Sequence, residues 1–441
     1  MGASTASLSD QERIQERTAD LTRRNSWALG VDSALFTMGM SLISSTTVLP
    51  AFVAALTDSE MLVGVASGLS AGAWLLPQLV IASVVAHKSR LKPIIVTTAL
   101  LSRPLFLLAG LAILFLGASH PALTLAIVLA IITIFFMADA VVSVPWFALL
   151  GKLIPATQRG RVIGGSQIVG GLGGIAAGAV VRYLLGEESA IAFPANFAIL
   201  YMAASVVLIF SGIALAGVRE PPAPVETEDP PTALEVLRAL PKLIAEDRPF
   251  QRMQLVRILA GFVSLASSFY VLHATRELGL PMGSTGLFVS AQVAGTLAAG
   301  FATSLLQDRW GPLVHMRVVI VVACLAPTLG LIISSLAGAL GSAALYPYLG
   351  LFFFLGIVSG SMSWPYFNWI LEYADEARRP LYIGISNTLG ALTMLAYPLG
   401  GWIVSALSYP AAFGVALAFG IAALLLSSRV PSVRMQSSSQ A

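Results

Sequence analysis

At 441 residues the chain is 57% hydrophobic and only 11% charged, with a mean hydropathy of +0.84. Soluble domains carry about 25% charged residues, so so few charges exclude a water-soluble globule and make lipid part of the solvent. The net charge of +3 forms no basic stripe, which argues against nucleic acid as a partner, and the single cysteine, Cys324, excludes a disulfide framework or a cysteine metal centre within one chain.

The first 25 residues are polar and mixed in charge, without the short apolar core and small-residue cleavage site of a signal peptide. Ser9 and Glu12 form a capping pattern for a short helix there. A helix needs roughly 20 apolar residues to cross the hydrocarbon core. Runs of that kind lie near 29–54, 61–86, 93–117, 121–149, 162–184, 190–217, 253–275, 282–306, 315–338, 344–371, 381–405 and 408–428. They are too long and continuous for the alternating strands of a β-barrel. The expected fold is therefore an all-α integral membrane protein with twelve transmembrane helices.

Lys88, Arg90, Lys92, Lys152, Arg159, Arg161, Arg309, Arg317, Arg378 and Arg379 fall on one side of these spans. The other side holds chiefly Arg182 and Arg276, with Asp58, Glu60, Glu187 and Glu188. By the positive-inside rule the first side is expected to be cytoplasmic, with both termini, in a plasma membrane. Asp32 lies a turn inside span 1 and His273 near the far end of span 7, where interfacial positions are expected for both. A polar segment at 218–250 divides the chain into an N-terminal half, 1–217, and a C-terminal half, 251–441. Its proline-rich start (Pro221, Pro222, Pro224, Pro230, Pro231) predicts an extended tether. Thr232 and Glu235 then cap a short helix whose Leu234, Leu237 and Ile244 face the membrane surface.

The halves are related. Moved by 220 positions, Ser143, Pro145 and Phe147 meet Ser363, Pro365 and Phe367. At the same offset Arg159 meets Arg379, and Ile163, Gly164 and Ser166 meet Ile383, Gly384 and Ser386. Ser44 likewise meets Ser264, and Gln167 meets Asn387. Between spans 8 and 9 the chain reads Ser304-Leu305-Leu306-Gln307-Asp308-Arg309-Trp310-Gly311, and after span 4 it reads Arg159-Gly160-Arg161. Two six-helix halves in one orientation, a long central loop and these motifs resemble the major facilitator superfamily over nearly the whole chain. Its G-x-x-x-D-R-x-G signature is matched except at Ser304. The copy between spans 2 and 3 is degenerate, with Ser83, His87 and Lys88 but no acid.

The resemblance implies two pseudo-symmetric six-helix bundles, with helices 1, 4, 7 and 10 around a central cavity. It also implies a gate built from Asp308, Arg309, Arg159, Arg161, Arg378 and Arg379. The competing reading of those charges is a topology signal with surface ion pairs of little worth. Gly170, Gly174 and Gly178 make a smooth stripe on span 5 for close helix contact. At membrane depth, Arg103 lies about 16 Å up span 3 from Lys92, and Asp139 about 20 Å up span 4 from Lys152. They are expected to face one another or share a cavity, as a structural ion pair or as a site for protons or charged solute. Candidate solute-binding residues are Ser44, Trp74, Gln78, Phe135, Ser264, Gln292, Trp364 and Tyr366. Their mix of aromatics, amides and hydroxyls suits an amphipathic solute.

No phosphate loop, H-E-x-x-H zinc motif or G-x-S-x-G elbow occurs, so no enzyme, cofactor or metal is expected. The expected function is secondary transport of a small amphipathic or hydrophobic solute, by a monomer in the lipid bilayer, with export coupled to protons through Asp139. An uncoupled facilitator, a nutrient uptake permease and a receptor with a transporter fold are the alternatives.

Overall fold

The computed structural model describes residues 2–78, 80–81, 85, 88–221, 233–375 and 378–432. Side chains are described from residue 19 onward, except at 156, 233, 237, 301, 303, 304 and 380. Ser83 and His87 of the degenerate motif, and linker residues 222–232, lie outside the described residues.

The described residues are helical, joined by short connections, with no strand among them. Nine helices among them are long and apolar enough to cross a membrane, including Lys92–Leu116, Pro121–Leu153, Thr157–Leu185, Ala195–Ala216 and Arg248–Glu277. The remaining spans are 1, 2 and 8. Span 1 is the end of Gly2–Leu42 with Val48–Leu56, span 2 begins as Glu60–Leu75, and span 8 is the first part of Ser284–Ser335. The last of these runs on into span 9 and turns only at Gly311, where φ is 82°. That conformation suits a residue without a Cβ, which gives the final glycine of the Asp308-Arg309-Trp310-Gly311 motif a backbone reason. The fold is the expected twelve-helix membrane architecture in two six-helix bundles.

Two spans are interrupted at matching places. Span 1 breaks between Leu42 and Val48, where Ser44, Ser45, Thr46 and Thr47 crowd hydroxyls that compete for backbone groups. Span 7 tightens to a 3-10 turn over Val263–Ala266, 220 positions on. Ser67 Oγ donates to the freed Ser45 carbonyl at 3.1 Å. Irregular backbone survives at membrane depth only where it is buried or lines a cavity.

The linker helix is Ala233–Glu246. Its apolar face is the expected one only in part: Leu234 is exposed, while Ile244, with Val236, Leu240 and Leu243, joins the apolar cluster that holds Tyr366, Trp369 and Tyr382. The helix thus packs against the base of the C-terminal bundle. Span 7 also starts earlier than its apolar run suggests. Asp247 caps it, accepting from Phe250 N at 3.0 Å and from the Tyr373 and Tyr382 hydroxyls at 2.7 and 2.6 Å.

In the N-terminal bundle Glu220 ties three helix ends together. Its carboxylate accepts from Leu91 N and Lys92 N at 2.9 and 2.8 Å and pairs with Lys152 Nζ at 2.7 Å. Partial burial alone would raise this carboxyl, but Lys152 and the two amides hold it below its ordinary value. A depressed carboxyl stabilises the fold above its unfolded value and loses that effect as pH falls through the folded one. Thermal unfolding in detergent should therefore show a stability loss in acid that Glu220→Gln reduces. An unchanged acid limb in that variant would contradict this role.

Candidate functional site

The N-terminal bundle forms an open cavity of about 370 Å³, lined by Asp32, Trp74, Arg103, Phe136, Asp139 and Trp146 among others. Arg103 and Asp139 do share this cavity, but the direct partner of Arg103 is Asp32. Arg103 Nη2 lies 3.0 Å from Asp32 Oδ1, with both side chains buried. Asp32 is therefore not interfacial. Ser211 Oγ donates to Oδ1 at 2.6 Å and the Trp146 indole to Oδ2 at 2.9 Å. Arg103 Nη1 donates to the Leu208 carbonyl at 3.3 Å, and its guanidinium lies 5.9 Å from the Phe36 ring centre. Each charge is compensated and hydrogen-bonded, the condition under which a buried pair is tolerated.

Asp139 has no salt bridge within 4.0 Å among the described residues. It lines the same cavity wall as Arg103, Asp32 and Trp74. One arginine and two carboxylates thus share one cavity. The pair neutralises itself, and Asp139 is the carboxylate left over.

Two smaller cavities lead across the molecule. One, of about 150 Å³, shares Trp74 and Phe136 with the first. The next, of about 170 Å³, shares Thr46 and Tyr397 with the second and reaches Ser264 and Gln292 in the C-terminal bundle. Thr46, supplied by the break in span 1, donates to Gln292 Oε1 at 2.8 Å and bridges the halves at that point. Ser44 bonds Thr46 at 3.1 Å, and Ser264 donates to the Gly261 carbonyl at 2.7 Å.

The other expected wall residues lie elsewhere. Phe135 is buried in the bundle core, its ring centre 4.4 Å from that of Phe106, because its neighbour Phe136 takes the cavity-facing position. Tyr366 is buried at 2% exposure beneath Arg257. Trp364 is 52% exposed, and neither it nor Gln78 lines these three cavities. His273, one turn from the end of span 7, is buried within the bundle and joins the hydroxyls of Tyr348 and Ser334.

On the basic side, Arg159 and Arg379 do the same job in each half. Arg159 Nε donates to the Ile154 carbonyl at 2.8 Å and Arg379 Nε to the Ala374 carbonyl at 3.1 Å, both at the end of the preceding span. Basic side chains at helix C-termini satisfy carbonyls that lack intrahelical partners. Arg378 lies over Tyr382 and Arg309 over Trp310, each at 5.5 Å. Arg161 lines a separate groove with Trp27.

The opposite side is where the halves close. An added Cβ at Gly286 of span 8 would collide with the Arg182 nitrogen and the Gly178 carbonyl of span 5. One at Gly64 would collide with the Tyr397 carbonyl, bringing spans 2 and 11 equally close. Gly170 and Gly174 of the span 5 stripe meet Ala34 and Ser41 of span 1, and Gly174 also meets Val293 of span 8. Above these seams Arg276 Nη1 pairs with Glu60 Oε1 at 3.1 Å, and the Tyr409 hydroxyl donates to the same oxygen at 2.7 Å.

Asp32 as the partner of Arg103 and Arg257 as a membrane-embedded cation escaped sequence reasoning. The signal for Arg257 was present: Asp247-Arg248-Pro249 is a helix-start pattern that moves span 7 back and Arg257 inward.

The family model described as Major Facilitator Superfamily matches residues 31–394 and 258–440. No curated protein matches by sequence. Among solved structures, a D-xylose–proton symporter is similar at 15% identity with a TM-score of 0.67, over 94% of this chain and 99% of that one. The nucleoside transporter NupG is similar at 14% identity with a TM-score of 0.65, over 92% and 98%. A bacterial homologue of the iron transporter ferroportin, in an outward-facing state with soaked iron, follows at 14% with a TM-score of 0.56, over 92% and 98%. With a family match that spans most of its length and this fold, the chain belongs to the major facilitator superfamily of membrane transporters.

Proposed function

We propose that the protein is a monomeric secondary active transporter that exports a small amphipathic solute by alternating access, coupled to protons through Asp139. The observation that carries this reading is the surplus carboxylate: Asp139 lines the same cavity as a self-neutralised Asp32–Arg103 pair. A carboxylate in that position costs least when protonated or when it faces a cation. A proton arriving from one side and leaving to the other is thereby linked to which side the cavity faces.

The mainly aromatic and apolar lining of the Asp139 cavity, with Phe36, Trp74, Phe136, Trp146 and Phe147, favours an amphipathic solute. Solute passes between the two halves, 1–217 and 251–441, with the linker, 218–250, on the basic side. That side is cytoplasmic in a plasma membrane, and Asp308, Arg309 and the loop arginines close it when the far side opens. The glycine seams and the Glu60–Arg276 pair belong to the state closed on the far side.

Liposome transport of candidate solutes under an imposed pH gradient tests the reading. Gradient-driven movement should occur in the wild type and fall at least about tenfold in Asp139→Asn, the size expected for loss of an essential proton carrier. Movement indifferent to both gradient and substitution would overturn proton coupling. Binding without movement of any solute would favour a receptor.

A further inference from the structure

Span 7 carries a second membrane-embedded cation that the acid cavity does not use. Arg257 lies about 14 Å along the helix from Arg248 and is half-buried. Its guanidinium donates to Ser386 Oγ, and to Asn387 Oδ1 at 3.4 Å, both on span 11. Tyr366 of span 10 lies beneath it, 5.8 Å from ring centre to guanidinium carbon. These partners are neutral, and no salt bridge to Arg257 occurs among the described residues. Arg103, by contrast, has Asp32.

Donors outnumber acceptors around it. Ser386 Oγ passes its own hydrogen to Gln254 Oε1 at 3.1 Å, leaving Gln254 Nε2 buried without an acceptor. The buried Tyr366 hydroxyl likewise has no hydrogen-bond partner. A cation beside two unused hydrogen-bonding groups is a surrounding that an oxyanion completes. Access follows from helix geometry. Arg257, Ala260, Gly261 and Ser264 share one face of span 7 by their 3, 4 and 7 residue spacing, and the last three line the central cavity. Met362, one turn before Tyr366, lines it too. The chain of cavities that begins at Asp139 therefore ends about one turn short of Arg257.

We propose that Arg257 receives the carboxylate of an amphipathic organic acid whose apolar body occupies the adjoining central cavity. This deepens the transporter reading and rests on it. A planar carboxylate suits the guanidinium, which offers it two parallel N–H donors. A purely structural Arg257, pinning span 7 to span 11, would have no preference for charged solutes.

The test uses the whole protein in lipid nanodiscs and two probes of one shape, 2-naphthoate and the neutral 2-naphthylmethanol, measured by calorimetry. Wild type should bind the acid at least about tenfold tighter, the minimum that one charge-assisted hydrogen bond gives. Arg257→Gln should reduce that ratio to near one while keeping its affinity for the alcohol, which shows an intact site. Arg257→Lys should restore part of the preference. A ratio near one in the wild type, no naphthoate binding, or a preference that survives Arg257→Gln would overturn the proposal. If naphthoate binds with the expected preference but crosses no liposome membrane, the site stands and the transport reading fails.

Discussion

Arg103→Leu, made alone, is expected to destabilise the N-terminal bundle by about 3–5 kcal/mol, the cost of leaving one buried member of an ion pair without its partner. Asp32 would then sit buried at 4% exposure with only Ser211 and Trp146 to hold its charge. The double variant Asp32→Asn with Arg103→Leu should recover most of the loss, because it removes both charges together. Thermal unfolding of the four proteins in detergent gives the coupling directly. Equal and additive losses in the two single variants would show that the pair is not the unit described here.

Gly286→Val is expected to lower transport at least about tenfold while leaving each bundle folded, since a side chain more than fills the close approach that glycine allows. The Cβ would strike the backbone of span 5 at Arg182 and Gly178, with no flexible side chain to move aside. The halves would then be unable to close on the side opposite the basic loops. A cysteine introduced at Ser290, which now bonds the Ile175 carbonyl across the seam at 3.1 Å, should become labelled from that side. Normal transport with Ser290 still shielded would contradict the assignment of this seam as a closing surface.

The architecture was readable because it depends on quantities that a sequence displays: long apolar runs, a few loop charges and a 220-residue register. The register proved to be structural in detail. Ser44 and Ser264 mark the paired irregularities of spans 1 and 7, and Arg159 and Arg379 cap spans 4 and 10 through the same atom. Side-chain direction was less legible. Phe135 and Phe136 are adjacent aromatics, and hydropathy does not say which faces the core.

Depth misled at Asp32, which was measured from the end of its apolar run, whereas its helix extends well beyond that run, to Gly2. The same kind of extension, back to Arg248, carries Arg257 inward on span 7. The asymmetry between halves is chemical and not topological: Asp139 faces Ser359 in the register, and Arg257 faces Thr37. One bundle holds a spare carboxylate and the other a spare guanidinium on the same fold.

The claim that Asp139 exchanges protons is tested most directly by infrared difference spectroscopy of the reconstituted protein across a pH titration. A protonated-carboxyl band should appear and vanish with pH in the wild type and be missing in Asp139→Asn. An identical band in both proteins would mean that the proton binds elsewhere, and that Asp139 does not couple it to transport.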